Sequence, residues 1–370
     1  MKTVTITQPK QTETFMVKGY GATGGLIGGK TLQQMDIERE PPAADEVAID
    51  ILYCGVCHSD IHQVENDWKN TIYPCVPGHE IIGRVIAIGS DVKKYKEGDI
   101  VGVGCMIDSC GVCASCQHNE EQYCLSDTGP TMTYNGYLKP VDKSFNTFGG
   151  YSAEIVVKED FVLRIPDVID MQRAAPILCA GVTTYSPLKK AEVAGKRVGI
   201  IGIGGLGHMG VMIAKALGAT VTAITTHSSK QAAALELGAD DVLISEDEAA
   251  MKARTASVDF LLCTIPDPFD LTPYLSLLDI HGSLVTVGLL GAYTKPLDNN
   301  LLAMSGLSVG GSLIGGVAET QEVLNFCAEN GIAPEVELVS IHTINEVFDK
   351  IRSEEVRFRY VIDMQSLKTS

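Results

Sequence analysis

Residues 197–218 read RVGIIGIGGLGHMGVMIAKALG, an apolar run that leads through a glycine-rich turn into a second apolar run. The turn has the form G-x-G-x-x-G, with Gly202, Gly204 and Gly207 at the glycine positions. In a strand–turn–helix unit the first glycine permits the tight turn, the second lets a pyrophosphate approach the backbone, and the third packs helix on strand. The stretch therefore predicts a dinucleotide site at a helix N-terminus, with Gly205 and Leu206 as further contacts. A glycine turn that serves packing alone is the alternative.

The strand that follows indicates which dinucleotide is bound. It ends in Thr225 and Thr226, Lys230 comes four residues later, and the first carboxylate is Glu236. Sites for NAD carry Asp or Glu about 20 residues past the turn, where the carboxylate binds the ribose 2′-hydroxyl. Hydroxyls and an ammonium group suit a 2′-phosphate, which a carboxylate would repel. The residues therefore favour NADP(H) over NAD(H), unless Lys230 only begins the next helix.

The pattern of predicted strands and helices divides the chain into two parts. Strands and helices alternate over 179–314 with almost entirely apolar strands, which predicts a doubly wound parallel sheet. Residues 1–178 show short β-branched runs cut by glycine, aspartate and proline, which indicates a β-rich domain. We therefore expect an α/β protein in which 1–178 and 315–370 form one discontinuous domain and 179–314 form the dinucleotide-binding domain. The glycine-rich run 19–30 is expected to be a loop.

Four cysteines predict a structural zinc site. Cys110, Cys113, Cys116 and Cys124 follow one another at gaps of two, two and seven residues. Such spacing lets one loop surround a single Zn²⁺ with four thiolates, which leaves no open position for a substrate. An iron–sulfur cluster and unliganded thiols are the alternatives, although the usual bacterial cluster run closes with a three-residue gap and a proline. Disulfides are disfavoured because the N-terminal residues lack the apolar core of a signal peptide.

A second group of residues suits a metal site with an open position. Cys57 and His79 lie 22 residues apart, and each is expected to follow a strand. A thiolate and an imidazole are good zinc ligands, and a third protein ligand would leave the fourth position for water or substrate. Glu80 is a candidate for binding the metal when that water leaves, and Asp60 is a candidate for orienting an imidazole. Taken singly, each residue has an ordinary explanation, such as a turn cap for His79.

The composition argues against several classes of partner. A formal net charge of −17 disfavours nucleic acid and anionic membrane surfaces, because no basic patch offsets their phosphate field. No apolar stretch approaches the ~20 residues that cross a bilayer. Eleven cysteines, an odd number, suit a cytoplasmic metalloprotein better than a disulfide scaffold. We therefore expect a cytoplasmic protein that binds neither nucleic acid nor a membrane.

Several motifs match one protein family and occur in that family's order. They are CGVCHSDIH (54–62), VPGHEIIGRV (76–85), the four-cysteine loop, FGGYSAEIVV (148–157), APILCAGVTTYSPLK (175–189), GIGGLGHMG (202–210) and GSLIGG (311–316). On these motifs, which cover nearly the whole chain, the sequence resembles the zinc-dependent medium-chain alcohol dehydrogenases. The resemblance is strongest to the branch of cinnamyl alcohol dehydrogenases and bacterial broad-range aldehyde reductases.

The resemblance implies a GroES-like catalytic domain, a Rossmann domain, a homodimer, and hydride transfer between NADP(H) and a small alcohol or aldehyde. It implies that Cys57, His79 and Cys179 hold a catalytic zinc, with Glu80 as the alternate ligand, in addition to the structural zinc. A zinc-free reductase on the same architecture would lack these three ligands. A non-catalytic NADP(H)-binding redox sensor is the remaining alternative.

Further positions match family residues that contact substrate or cofactor. Ser59 matches the hydroxyl that passes the alcohol proton towards the cofactor ribose, and His62 matches the imidazole that delivers it to solvent. The residues that match nicotinamide contacts are Thr183, Val287, Leu289 and Ser312. Leu313 stands where the plant lignin enzymes carry an aromatic residue, and Trp68 lies in a segment that lines the cleft in relatives. A broad specificity for aromatic or medium-chain substrates is therefore expected.

Overall fold

The computed structural model describes residues 14–24, 31–139, 143–288, 291–353 and 359–368. The strands are β1 (Phe15–Gly21), β2 (Gln33–Arg39), β3 (Glu46–Gly55), β4 (Ile81–Ile88), β5 (Ile100–Val103), β6 (Met106–Asp108), β7 (Thr131–Met132), β8 (Glu154–Lys158), β9 (Val162–Arg164), β10 (Arg197–Ile201), β11 (Thr220–Thr225), β12 (Asp241–Ile244), β13 (Val258–Cys263), β14 (Leu278–Thr286), β15 (Ser308–Gly311), β16 (Val336–Ser340) and β17 (Arg359–Asp363). The helices are α1 (His58–Glu65), α2 (Ala114–Gln117), α3 (Met171–Ala174), α4 (Ala180–Lys190), α5 (Gly207–Ala216), α6 (Gln231–Glu236), α7 (Glu248–Ala253), α8 (Thr272–Leu275), α9 (Asn299–Ser305), α10 (Val317–Glu329) and α11 (Ile344–Arg352). Among the described residues, no helix has both the length and the apolar character that a membrane span requires.

A seven-stranded sheet forms the β-rich body, in the order β16-β17-β3-β4-β5-β9 with β8 also paired to β3. Strand β3 is central: Ile49 lies opposite Val85 of β4 on one side and Ile155 of β8 on the other, and all three side chains are buried. Strand β17 pairs with β3 in antiparallel register, with Val361 opposite Gly55. The chain therefore returns to the seven-stranded sheet after it has formed the parallel sheet, while the domain boundaries at 178 and 314 stay a prediction.

Six parallel strands form the second sheet, in the order β12-β11-β10-β13-β14-β15. Ile200 of the first strand, β10, lies between Ala223 of β11 and Leu262 of β13, and all three are fully buried. Because the chain winds outward from β10 in both directions, ligands are expected at the carboxyl ends of the central strands. The predicted α/β fold class with a doubly wound sheet is confirmed.

One apolar core fixes the two bodies against each other. Ile82 and Leu163 of the β-rich body belong to the same buried cluster as Val198 and Ile200 of the parallel sheet and Leu188 of α4. The two bodies therefore share close-packed apolar side chains. The expectation of a loop over 19–30 is wrong at its start, because residues 19–21 complete β1, while 25–30 lie outside the described residues.

Candidate active site

Four ligand-type side chains meet at the junction between the two bodies. Cys57, His79, Glu80 and Cys179 are all buried, and their candidate ligand atoms lie within 4.8 Å of one another. Nε2 of His79 lies 3.2 Å from Sγ of Cys179. Two sulfurs and one imidazole nitrogen, with a carboxylate beside them, are a donor set that suits Zn²⁺.

Different elements deliver these side chains. Cys57 follows β3 and caps the N-terminus of α1, and Cys179 stands directly before α4. His79 and Glu80 lie immediately before β4, so the expectation that His79 follows a strand is wrong. Residues 76–79 include a proline and a glycine with φ +104°, which favour a turn ahead of the strand.

Asp60 holds the polar side of this cluster together. Its Oδ2 accepts hydrogen bonds from the Cys57 backbone N–H at 2.9 Å and from the Tyr151 hydroxyl at 3.3 Å. Its Oδ1 accepts from the Gly78 N–H at 3.1 Å and lies 3.1 Å from Nδ1 of His79. With Nδ1 of His79 donating to Asp60, Nε2 is the nitrogen that remains for a metal.

The pKa values of the two cysteine ligands are shifted in opposite directions. A hydrogen bond with Cys179, and after it one with His79, holds the pKa of Cys57 well below the ordinary value for a thiol. Hydrogen bonds with Cys105 and Cys57 raise the pKa of Cys179 well above it. Because cysteine binds a metal as the thiolate, metal uptake at this site releases the proton held by Cys179.

Sequence reasoning missed a buried arginine beside the cluster. Arg359 of β17 forms an ion pair with Oε1 of Glu80, and both side chains are almost completely shielded from solvent. Oε2 of Glu80 is buried and has no hydrogen-bond partner among the described residues, so it is the carboxylate oxygen left for a cation. The available signal was an arginine directly before the apolar run YVI of β17, because a charge that is buried needs a partner.

The candidate relay residues lie on α1. Ser59 and His62 are three positions apart, which places both side chains on one face of the helix. Nδ1 of His62 lies 2.9 Å from Oδ2 of Asp67, and Nε2 of His62 is buried without a partner among the described residues. Asp67 was not selected from the sequence; its position two residues past the end of α1 was the available signal. The rings of His58 and Trp68 flank His62, with centroids 4.8 Å and 5.5 Å away.

The three glycines of the turn after β10 have the environments that a dinucleotide turn requires. Gly202 adopts φ +86°, which favours glycine. Nothing lies within 4 Å of the position a Cβ would take on Gly204, so the backbone there is open to a ligand. A Cβ on Gly207 would meet the carbonyl oxygen of Gly202. The turn thus leads into α5 and has an open backbone position at Gly204, next to the predicted contacts Gly205 and Leu206.

The other cofactor candidates surround the carboxyl ends of the parallel strands. Thr225 ends β11 and is buried, Thr226 is exposed, and Lys230 follows in a short 3-10 turn. The remaining contacts predicted for the nicotinamide are placed as follows: Thr183 in α4, Val287 after β14, Ser312 after β15, and Leu289 outside the described residues. The hydroxyl of Thr183 is buried without a partner among the described residues, which is costly unless a ligand satisfies it.

The four-cysteine loop forms a second cluster. The Sγ atoms of Cys110, Cys113, Cys116 and Cys124 lie within 4.8 Å of one another. The Leu125 N–H donates to Sγ of Cys113 at 3.3 Å and, with the Cys116 N–H after it, lowers the pKa of Cys113 to about 6. Burial raises the pKa of Cys116 to about 12. Within the described part of the chain no other ligand-type side chain joins these four sulfurs, and such a set suits a closed, structural Zn²⁺ site.

Comparisons with known proteins match one family over most of the chain. A family model described as alcohol dehydrogenase GroES-like domain matches residues 43–167, which confirms that part of the predicted fold, and one described as zinc-binding dehydrogenase matches 205–329. The chain is 46% identical over 348 residues to aldehyde reductase YahK of Escherichia coli, covering 94% of this chain and 98% of that protein. It is 46% identical over 347 residues to NADP-dependent alcohol dehydrogenase C of Mycobacterium bovis, covering 94% and 99%. The structure of CAD from Helicobacter pylori complexed with NADP(H) has a TM-score of 0.87 at 37% identity and covers 95% and 99%.

Proposed function

This chain belongs to the zinc-dependent medium-chain alcohol dehydrogenases, and on that basis we propose that it interconverts a primary alcohol and its aldehyde with NADP(H) as the hydride carrier. The observation that carries the proposal is the buried convergence of Cys57, His79 and Cys179 within 4.8 Å. The relative named as an aldehyde reductase supports the proposed substrate, and the relative named as NADP-dependent supports the proposed hydride carrier. Aromatic and medium-chain aldehydes, with broad specificity, are the proposed substrate class.

The chain's own residues would hold the catalytic ion. Cys57, His79 and Cys179 supply two sulfurs and a nitrogen, which leaves one position of a tetrahedral ion for the substrate. When bound there, Zn²⁺ supplies Lewis-acid polarisation of the substrate oxygen. Arg359 pairs with Oε1 of Glu80 and compensates its charge, while Oε2 stays in reach of the ion as an alternate ligand.

Proton movement is assigned to α1. We assign Nδ1 of His62 as the donor to Asp67, which leaves Nε2 as the proton acceptor of the ring. Ser59, one turn earlier on the same face, would take up the proton of the substrate hydroxyl, and His62 would deliver it to solvent. Asp67 fixes the orientation of the imidazole through its contact with Nδ1. Asp60 acts differently, because it fixes the orientation of His79 and does not exchange a proton with substrate.

Cofactor binding follows from the turn after β10 and the end of β11. The open backbone at Gly204 receives the pyrophosphate, and Thr225, Thr226 and Lys230 receive the 2′-phosphate. Thr183, whose hydroxyl otherwise has no partner among the described residues, hydrogen-bonds the nicotinamide end, where Val287, Leu289 and Ser312 are the other proposed contacts.

The test is an absorbance assay with benzaldehyde, cinnamaldehyde and aliphatic aldehydes, run with NADPH and NADH in parallel. We expect turnover with NADPH and much weaker turnover with NADH. Cys57→Ala should abolish turnover, whereas Cys327→Ala, which removes a buried thiol from α10, should leave it intact. Bound NADPH without turnover of any aldehyde would instead identify a non-catalytic redox sensor.

A homodimer and a cytoplasmic location complete the proposal. Strand β15 ends the parallel sheet and pairs only with β14 among the described strands, so its outer edge is available to a second copy. All eleven cysteines are unpaired, which favours a reducing compartment. Light scattering after size exclusion would test the dimer, and a monomer at micromolar concentration would contradict it.

A further inference from the structure

The segment Ser312–Val317 links the last parallel strand, β15, to α10. It begins at Ser312, a proposed nicotinamide contact, so its conformation matters for cofactor binding. The Ser312 N–H donates to the carbonyl oxygen of Thr286 at 3.1 Å, which ties the start of the segment to the parallel sheet. Two residues later Ile314 has φ +35°, a left-handed conformation that is strained for a β-branched residue.

A strained residue of this kind persists only where its surroundings hold it. The contacts that do so come from the four-cysteine loop, between Cys116 and Cys124. The hydroxyl of Tyr123 accepts a hydrogen bond from the Leu313 N–H at 3.1 Å. Oε2 of Glu121 accepts one from the Val317 N–H at 3.1 Å. The two bonds therefore lie on either side of Ile314.

Backbone packing adds to these bonds. A Cβ on Gly316 would lie 1.9 Å from the carbonyl oxygen of Asn119, so the loop and the segment touch backbone to backbone. The Val317 N–H belongs to the first turn of α10, where backbone donors have no partner within the helix and a carboxylate is favoured by the helix dipole. Glu121 thus caps α10 as well as fixing the end of the segment.

We propose that Tyr123 and Glu121 are positioning residues of the cofactor site, through which the structural zinc loop holds Ser312–Val317 in the conformation that binds the nicotinamide half of NADP(H). The inference rests on the proposed function, because Ser312 is assigned to the nicotinamide there. Without these hydrogen bonds Ile314 relaxes from its strained conformation and the binding-competent arrangement is less populated. The apparent affinity for NADPH falls by the same factor.

The experiment compares two ligands. NADPH reaches the segment, whereas adenosine 2′,5′-bisphosphate occupies only the adenine half of the site. The variant Tyr123→Phe deletes one hydroxyl. Calorimetric titration of the zinc-loaded protein should show that it lowers the affinity for NADPH by about three- to tenfold, as the loss of one hydrogen bond predicts. The affinity for adenosine 2′,5′-bisphosphate should not change.

Glu121→Ala is the second variant, and it should show the same split between the two ligands. Glu120→Ala is the matched control, since Glu120 lies in the same loop but pairs with Lys190 at the surface, 2.9 Å away. This control should bind both ligands as the wild type does, and metal analysis should find both zinc ions in every variant.

The inference would be overturned if the variants lost affinity equally for NADPH and for the bisphosphate. It would also be overturned if both variants bound the two ligands as tightly as the wild type does. Failure of the wild-type protein to bind NADPH and the bisphosphate would instead contradict the proposed function itself.

Discussion

Removing Arg359 tests whether the buried ion pair beside the metal cluster stabilises the protein. Arg359→Met keeps an apolar stem of similar length but leaves the carboxylate of Glu80, whose side chain is 0% exposed, without its counter-charge. Removing one partner of a buried pair costs about 3–5 kcal/mol. At about 2–4 °C per kcal/mol for a domain of this size, the melting temperature should fall by about 6–20 °C.

The control is an arginine at the surface. Arg197 makes ion pairs with Asp259 and Asp279, at 2.5 Å and 2.7 Å, but its side chain is 44% exposed. Water and salt screen such pairs, so Arg197→Met should cost about 1 kcal/mol or less. Differential scanning fluorimetry of the zinc-loaded variants, at one protein concentration, measures both changes.

The double variant Glu80→Gln/Arg359→Met separates the pair from either residue alone. Because it leaves no unpaired charge in the interior, it should recover at least half of the stability lost by Arg359→Met. The reasoning is refuted if Arg359→Met lowers the melting temperature no more than Arg197→Met does, or if the double variant is less stable than Arg359→Met.

Three further predictions address the metal sites, the cofactor and pH. Cys57→Ala should abolish turnover with little change in melting temperature, whereas Cys110→Ala should lower the melting temperature. Activity, melting temperature and metal content are measured for each variant, and the reverse pattern would contradict the division into catalytic and structural sites. Lys230→Ala should raise KM for NADPH about tenfold or more while leaving KM for NADH unchanged, since a hydrogen bond to a charged group contributes about 1.5–3 kcal/mol; equal effects on both cofactors would exclude the 2′-phosphate role. Burial lowers the pKa of His208 to about 3, so between about pH 6.5 and pH 3 the unfolded chain binds a proton that the folded protein does not, and stability falls as the pH drops. His208→Gln should therefore show a shallower loss of melting temperature from pH 6.5 to pH 5 than the wild type, and an unchanged slope would show that His208 does not contribute.

The features that could be predicted from the sequence are those whose structural requirements are met within one short segment of the chain. The turn at Gly202, Gly204 and Gly207 needs φ > 0, an open backbone and close helix packing within six residues, and each demand leaves a glycine in the sequence. The four-cysteine loop is equally local, because one short stretch supplies every sulfur of the cluster. Cysteine spacing was therefore enough to predict the four-cysteine cluster, and glycine spacing between an apolar strand and a helix was enough to predict the turn.

The features that were missed depend on the path that the folded chain takes, either between distant segments or at the end of one element. Nothing near Glu80 in the sequence shows that Arg359 will lie beside it, since only the pairing of β17 with β3 brings them together. Asp67 was overlooked because its contact with His62 depends on how the chain turns at the end of α1. His79 was placed on the wrong side of a strand because a short apolar run before a turn does not show where pairing begins.

The pairing of β17 with β3 also sets an order of events during synthesis. A ribosome adding about 5–20 residues per second makes Arg359 about 14–56 s after Glu80, which stands 279 positions earlier. Until Arg359 and the rest of β17 leave the exit tunnel, the nascent chain has Glu80 without its counter-charge and β3 without one of its neighbours. The surroundings of the ligand cluster are thus completed by a strand that is translated after all four residues of the cluster.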